Sequence, residues 1–428
     1  MLSTSRTNRG PRAGRRVWMS LVVCLCGAGS ASAQNGVPPA NLPQVETVPA
    51  TIQASTLEES IALAMSRQPA LAAARATYDA AVSAKRGLDS LKFGVILAPD
   101  LPTRKRQACL GISIAASGQQ QAEWETRYAV TRTYWSVQYA QQQRNVIDSV
   151  IDKLKNASDK AKRFVDAGDP NIKVNQIDVD TLLLNLEFAK AKRAEAATGM
   201  EKATAGLREA IGLGLNEPLA ISVEPLPPLV ENIDKDALIA YALANRAELT
   251  QAVLTKEVVD LEATAQHWSF NPTTKTFAAA SDIHAKQIPQ GVANGEYRPG
   301  GPLPEMPVYL VGTKAERIHR AHDFANRAQA VVDKAHNLIA LEVEASYLKW
   351  KESAEKIRNL RNTPDASAKI ASKVRGRFDS GNVSGEELLR AQTLEDYARS
   401  QYTEALFNHI LALAALERST AGGYRIPR

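Results

Sequence analysis

Residues 377–406 read RFDSGNVSGEELLRAQTLEDYARSQYTEAL, and this stretch decides the fold class. Gly381 stops one helix, because glycine reaches the positive φ at which a chain leaves a helix abruptly. Ser384 is placed to cap the next helix with its hydroxyl. Leu388, Ala391, Leu394, Ala398, Ala405, Leu413 and Leu416 then recur mostly every three or four residues, opposite Glu386, Arg390, Asp396, Arg399 and Glu404. Small alanines let helices approach closely while leucines supply knobs, so the last helix, about Gly385 to Arg418, belongs to a closely packed hairpin.

The pattern extends outward in both directions. Upstream, a helical stretch runs from about Thr313 to Phe378, interrupted only around Pro364, with Val331, Ala335, Leu338, Leu341 and Ala345 as its predicted seam. The turn Arg377–Gly381 is echoed by Arg163-Phe164-Val165-Asp166-Ala167-Gly168. Before that earlier turn lie 48 residues, Gln119–Asp166, without Pro or Gly, and after it a second helix from about Val174 to Leu213. Farther upstream, Thr56 with Glu59 makes a capping-box signature, and Pro69 opens a helix running to about Leu91. Ile61, Ala64 and Leu71 recur as Ile239, Ala242 and Leu249 at a constant offset of 178. The chain is therefore two copies of one unit: helix, β-type excursion, long helix, glycine turn, long helix. The first copy covers 56–231, with short β-runs Phe93–Ala98 and Ala108–Ala115 in an insert at 92–118. The second covers 232–423, with a Pro/Gly-rich insert at 267–312 whose candidate strands are Thr274–Ser281 and Val308–Val311. Residues 424–428 are a tail. Hairpins of this length leave apolar flanks uncovered, which predicts lateral association into a ring.

Charge and export signals explain the rest of the composition. The net charge is +6, yet residues 1–33 hold five arginines and no acid, leaving 47 basic and 46 acidic residues beyond them. The apolar run Val17–Leu25 and the small segment ending Ala31-Ser32-Ala33 make 1–33 a secretory signal. The nearly neutral remainder gives no support for nucleic-acid binding. Residues 34–55, with Pro38, Pro39, Pro43 and Pro49, form a poorly ordered lead-in. Cleavage leaves one cysteine, Cys109, so no intramolecular disulfide forms.

The arrangement resembles the TolC-type outer membrane efflux family. The carrying residues are TLEESIALAMSRQPAL from Thr56, DALIAYALANRAEL from Asp236 and the 377–406 stretch. The resemblance implies a mainly α protomer of two tandem repeats of long antiparallel hairpins, an α-barrel protomer with two short β-hairpin inserts. Three such chains would form a tunnel across the periplasm, anchored in the outer membrane, and conduct substrates for an inner-membrane pump and a periplasmic adaptor. It implies an adaptor-docking tip at Arg163, Gly168, Arg377, Gly381, Val383, Ser384, Leu388 and Ala391. Asp166, Asp169 and Asp379 lie at the same turns, where a threefold ring would make an acidic constriction. The short, Pro-broken strands depart from the family, whose strands cross a bilayer with about 9–11 residues each. Ser117-Gly118-Gln119-Gln120 also stands where the family's Leu-Phe-Asp-Gly-Gly-like entry is expected. The barrel is then reduced or missing, and the alternative is a soluble periplasmic scaffold or adaptor-like protein.

No chemistry emerges from the remaining motifs. Glu316, His319 and His322 share a helix face, but Arg317 and Arg320 beside them disfavour a cation. No phosphate loop, Gly-x-Ser-x-Gly or His-Glu-x-x-His occurs. The expectation is a non-enzyme without cofactor or metal.

Overall fold

The computed structural model describes residues 56–91, 98–214, 216–222, 232–277 and 306–426, all within the unit Pro49–Arg428. The signal peptide, the lead-in and the 93–97 part of the first β-run lie outside them. Among the described residues nine helices follow in order: α1 Leu57–Arg67, α2 Pro69–Asp89, α3 Leu101–Ala167, α4 Gln176–Ile211, α5 Lys235–Asn245, α6 Ala247–Trp268, α7 Lys314–Leu360, α8 Thr363–Asp379 and α9 Gly385–Ser419. Strands β1 (Thr273–Lys275) and β2 (Tyr309–Val311) precede α7 and pair antiparallel, Thr274 opposite Leu310. None of the described helices is long and apolar enough to cross a membrane.

The duplication is reproduced to the residue. Shifting α1 by the offset of 178 gives the bounds of α5, and Pro69 at the start of α2 falls on Ala247 at the start of α6. Thr56 closes its capping box with Glu59. The two junction residues, Gln68 and Arg246, share an extended backbone, φ −63° with ψ 120° and φ −69° with ψ 126°. Each reaches the end of its own repeat's last helix. The Gln68 amide donates to the carbonyls of Glu209 (3.1 Å) and Ala210 (2.9 Å), and the Arg246 guanidinium donates to that of Ser419 (2.9 Å). Backbone acceptors orphaned at a helix C-terminus are thereby satisfied from the same relative position in both copies.

The charged version recruits further charges. Arg246 also binds Glu248 and Glu342 (2.8 Å), Glu342 accepts from Arg418, and Arg418 reaches Glu125 at 2.9 Å. Arg246, Glu342 and Arg418 are all buried. Burial opposes ionisation of Glu342, but Arg418 and Arg246 outweigh it and hold the carboxyl below its usual range. Burial likewise works against both guanidiniums, and the facing carboxylates raise them above their ordinary value.

Two predicted features change. Ala108–Ala115 is not a strand but part of α3, which begins at Leu101 and spans 67 residues, about 100 Å. A short apolar run reads equally as buried strand or helix. Here Pro102 sits in the first turn, where a missing N–H costs nothing. The charges around it serve the helix: Arg104 pairs bidentately with the buried Glu262 of α6 at 2.5 and 2.8 Å, and Gln107 donates to the same carboxylate at 3.1 Å. Of the two expected hairpin inserts, the described residues therefore hold one sheet, three residues per strand. The predicted strand from Thr274 begins at Thr273 and ends at Lys275; 278–281 lie outside the described residues.

The seam of α7 is the second change. Val331 and Ala335 are buried as expected, but the stripe continues through Ile339, Glu342, Val343, Ser346, Trp350, Ser353, Ala354 and Ile357. Leu341 is exposed, and Leu338 and Ala345 are only half-buried. An apolar reading misses this register because three of its members are polar, and two of them, Glu342 and Ser353, are buried on partners from other helices. In α9 the expected seam is buried except for Leu394.

One of those partners is titratable. His409 of α9 is buried against α7, its Nδ1 3.0 Å from the Ser353 hydroxyl. Burial pushes its pKa down to about 4. The unfolded chain titrates near 6.5 and takes up a proton that the fold refuses, so stability falls as pH drops from about 6.5 to about 4. Thermal unfolding followed by circular dichroism over that window should show this slope, and His409→Gln should flatten it. An unchanged slope in the variant would rule out His409 as its origin.

Candidate functional site at the hairpin tips

Both long hairpins reverse through a left-handed glycine, Gly168 at φ 65° and Gly381 at φ 71°. The turns interlock. Lys173 N–H donates to the Gly381 carbonyl at 2.9 Å, and a Cβ on Gly381 would stand 3.0 Å from Ile172 Cγ1. Behind the turns, Leu154, Ala161, Val174, Val179, Leu182, Phe378, Val383 and Leu388 form one apolar cluster, with Phe164 packed edge-on to Phe378 at 6.1 Å between ring centres.

Asp178 links the two return helices. Its backbone N–H donates to the Asn175 side chain (3.1 Å) and its Oδ2 accepts from Asn175 N–H (3.0 Å), closing the capping box of α4. Its Oδ1 accepts from Glu386 N–H at the start of α9, 3.2 Å away. One buried carboxylate thus serves the positive ends of two helices. The contact requires Gly385, since a Cβ there would lie 2.8 Å from Asp178 Cβ. Asp178 is not among the tip residues expected from the sequence; its signal there is the Asn175-x-x-Asp178 spacing, which matches a capping box.

The predicted tip residues separate into two groups. Arg163 and Arg377 are exposed, and so are Gly168, Asp166, Asp169 and Asp379. Val383, Leu388 and Ala391 are buried, and Ser384 caps α9 by accepting from Glu387 N–H at 3.2 Å. The buried members shape the turns and offer no side chain to a partner. Among the acids, Asp379 pairs with Lys160 at 2.7 Å, and Asp169 accepts from Asn171 N–H within its own turn at 2.9 Å. Farther along α3, Lys153 bridges Glu395 (3.2 Å) and Asp396 (3.1 Å) of α9. Burial raises the Asp396 carboxyl, with Lys153 opposing it. This bridge borders a groove between α3, α4 and α9 lined by Val150, Phe188, Leu389 and Gln392.

Glu316 is engaged elsewhere, accepting from the Thr313 backbone and hydroxyl at 2.9 Å as the N-terminal box of α7. His319 lies toward Asp323 at 3.8 Å. Among the described residues, no group of three or more His, Cys, Asp or Glu is gathered as for a metal ion.

Residues 238–422 match the outer membrane efflux protein family. No curated protein matches the sequence. The fold is similar to the outer-membrane channel OprN, with TM-score 0.68 and 16% identity over 86% of this chain and 90% of that one. The Campylobacter jejuni CmeC outer membrane channel aligns at TM-score 0.67 and 13% identity, covering 86% of each chain. The outer membrane protein VceC from Vibrio cholerae aligns at TM-score 0.66 and 11% identity over 86% of this chain and 97% of that one. Two of these neighbours are outer-membrane channels and the third is an outer membrane protein, and at such identities the likeness concerns the fold. Residues 238–422 are thus similar in sequence to the outer membrane efflux protein family, and the fold over most of the chain is similar to that of these outer-membrane proteins.

Proposed function

We propose that the chain is one protomer of an outer-membrane efflux or secretion channel, working as a homotrimer with a periplasmic adaptor and an inner-membrane pump. The observation carrying this reading is the pair of uncovered apolar flanks. Ile177, Leu183, Leu184 and Phe188 stand exposed on α4, and Leu341, Leu348 and Ile370 on α7 and α8. Two different apolar flanks on one protomer suit head-to-tail contact, which closes into a ring when the rotation allows. The tunnel then narrows at the glycine turns. There Asp166, Asp169 and Asp379 supply negative charge, and Arg163 and Arg377 are the side chains an adaptor would touch. Gly168, Gly381, Val383, Ser384, Leu388 and Ala391 hold those turns in shape.

Charge reversal at Arg163 and Arg377 tests the docking role without entering the core. The double variant Arg163→Glu/Arg377→Glu should assemble normally yet bind its adaptor about tenfold more weakly, a loss of about 1.4 kcal/mol, with export falling in step. Wild-type export from that variant would remove the tip assignment. Leu388→Asp is unsuitable for this purpose, because Leu388 is buried and a carboxylate there would unfold the hairpin.

A further inference from the structure

At the opposite end of the long helices, six large apolar side chains are exposed within two short segments: Trp268 at the end of α6 with Phe270 and Phe277 beyond it, and Val308, Tyr309 and Val311 around β2. The sheet is two-faced. Thr274 and Leu310 are buried, Leu310 in a cluster with Val258, Val259, Met306 and Ala321, while Thr273, Lys275, Tyr309 and Val311 are exposed. Cross-strand partners point to the same face, so Lys275 lies beside Tyr309 and Thr273 beside Val311. Basic groups border this face: Lys275 itself, the exposed Lys314, and Arg320, whose guanidinium donates to the Val311 carbonyl at 3.2 Å. The neighbouring acids are turned to local partners, Glu316 to Thr313 and Asp323 toward His319.

We infer that this end of the molecule, the exposed sheet face together with the exposed Trp268 and Phe270 that precede β1 in the chain, is an interfacial phospholipid contact. Trp268, Phe270 and Tyr309 lie at headgroup depth, and Lys275 and Arg320 meet anionic lipid phosphates. Trp and Tyr favour that depth because one end of the ring is apolar and the other polar. Lysine and arginine at a membrane surface gain from anionic headgroups. Exposed apolar side chains concentrated in so short a stretch are otherwise unfavourable in water. The inference rests on the outer-membrane reading above and adds which residues meet the lipid, and how deeply.

Depth-dependent quenching of tryptophan decides it. The full mature chain is reconstituted in phosphatidylcholine vesicles, with and without phosphatidylglycerol, carrying lipids brominated near the headgroup or near the chain ends. Subtracting Trp268→Phe from wild type isolates Trp268 from Trp124, Trp135 and Trp350. Trp268 should be quenched more strongly by the shallow bromines. Lys275→Glu/Arg320→Glu should abolish the extra quenching that phosphatidylglycerol brings. Stronger quenching by the deep bromines would overturn the interfacial placement. Absence of quenching would overturn the contact, and protection of Trp268 from aqueous acrylamide would then identify residues 278–305 or a second copy as its cover. Fractionation of cells in parallel separates the two levels. A chain in the outer membrane with unquenched Trp268 leaves the channel reading intact and removes this one, whereas a chain missing from that membrane removes both.

Discussion

Glu342→Ala should lower the free energy of unfolding by about 3–5 kcal/mol, the usual consequence of removing one partner from a buried ion pair. The carboxylate lies between two buried guanidiniums, Arg246 and Arg418, and its loss leaves two positive charges facing each other away from water. The repulsion between those arginines is already present in the wild type, where it lowers Arg418 against the larger effect of Glu342. Glu342→Ala/Arg418→Met should therefore recover much of the loss, since it removes one of the stranded charges and returns apolar volume. The measurement is a double-mutant cycle by denaturant unfolding. A single-variant loss below about 1 kcal/mol would mean that the cluster is solvated and contributes as a surface pair does. The pH dependence has a definite sign. A carboxyl held below its usual range stabilises the fold above its unfolded value, near 4.3, and that contribution disappears as pH falls through the folded value. Acid unfolding below about pH 4.3 should flatten in Glu342→Ala, separately from the His409 window at higher pH.

Gly212→Ala should be nearly as damaging, and for a purely steric reason. Gly212 ends α4 at φ 81°, and a Cβ there would stand 2.8 Å from the Arg67 carbonyl oxygen and 2.9 Å from Gln68 Cα. Both obstacles are backbone atoms held by the α1–α2 junction, so no rotamer change relieves them. Left-handed backbone costs alanine about 1 kcal/mol relative to glycine, and overpacking adds about 1–3 kcal/mol. Gly168→Ala is the control. It has the same handedness, φ 65°, but a Cβ there meets nothing within 4 Å. The control should lose only about 1 kcal/mol. Equal losses in the two variants, read from denaturant midpoints, would refute the steric account.

The contrast between these glycines separates what a local pattern carries from what it does not. Gly168 and Gly381 are readable as turn residues, because each closes one of the two echoed turns, Arg163–Gly168 and Arg377–Gly381, between long helical stretches. That Gly212 and Gly385 are pinned by neighbouring atoms depends on contacts across 140 and more residues, which no local pattern carries. The tip follows from the same local logic, and the burial that divides Arg163 and Arg377 from Val383 and Leu388 comes from packing. Asp178 escapes a local reading because its second partner, Glu386, is 208 residues away.

Periodicity, breakers and the offset of 178 determined by themselves that the chain is a duplicated set of long helical hairpins, since helix signals are local and survive in a single sequence. Tertiary structure decided which face of each helix is the seam and whether an ambiguous apolar run becomes strand or helix. Ala108–Ala115 became helix because Arg104 and Gln107 found Glu262, and α7 buried Glu342 in its seam because Arg246 and Arg418 came to meet it. Polar residues enter a core only with partners, and the partners of these lie in distant parts of the chain.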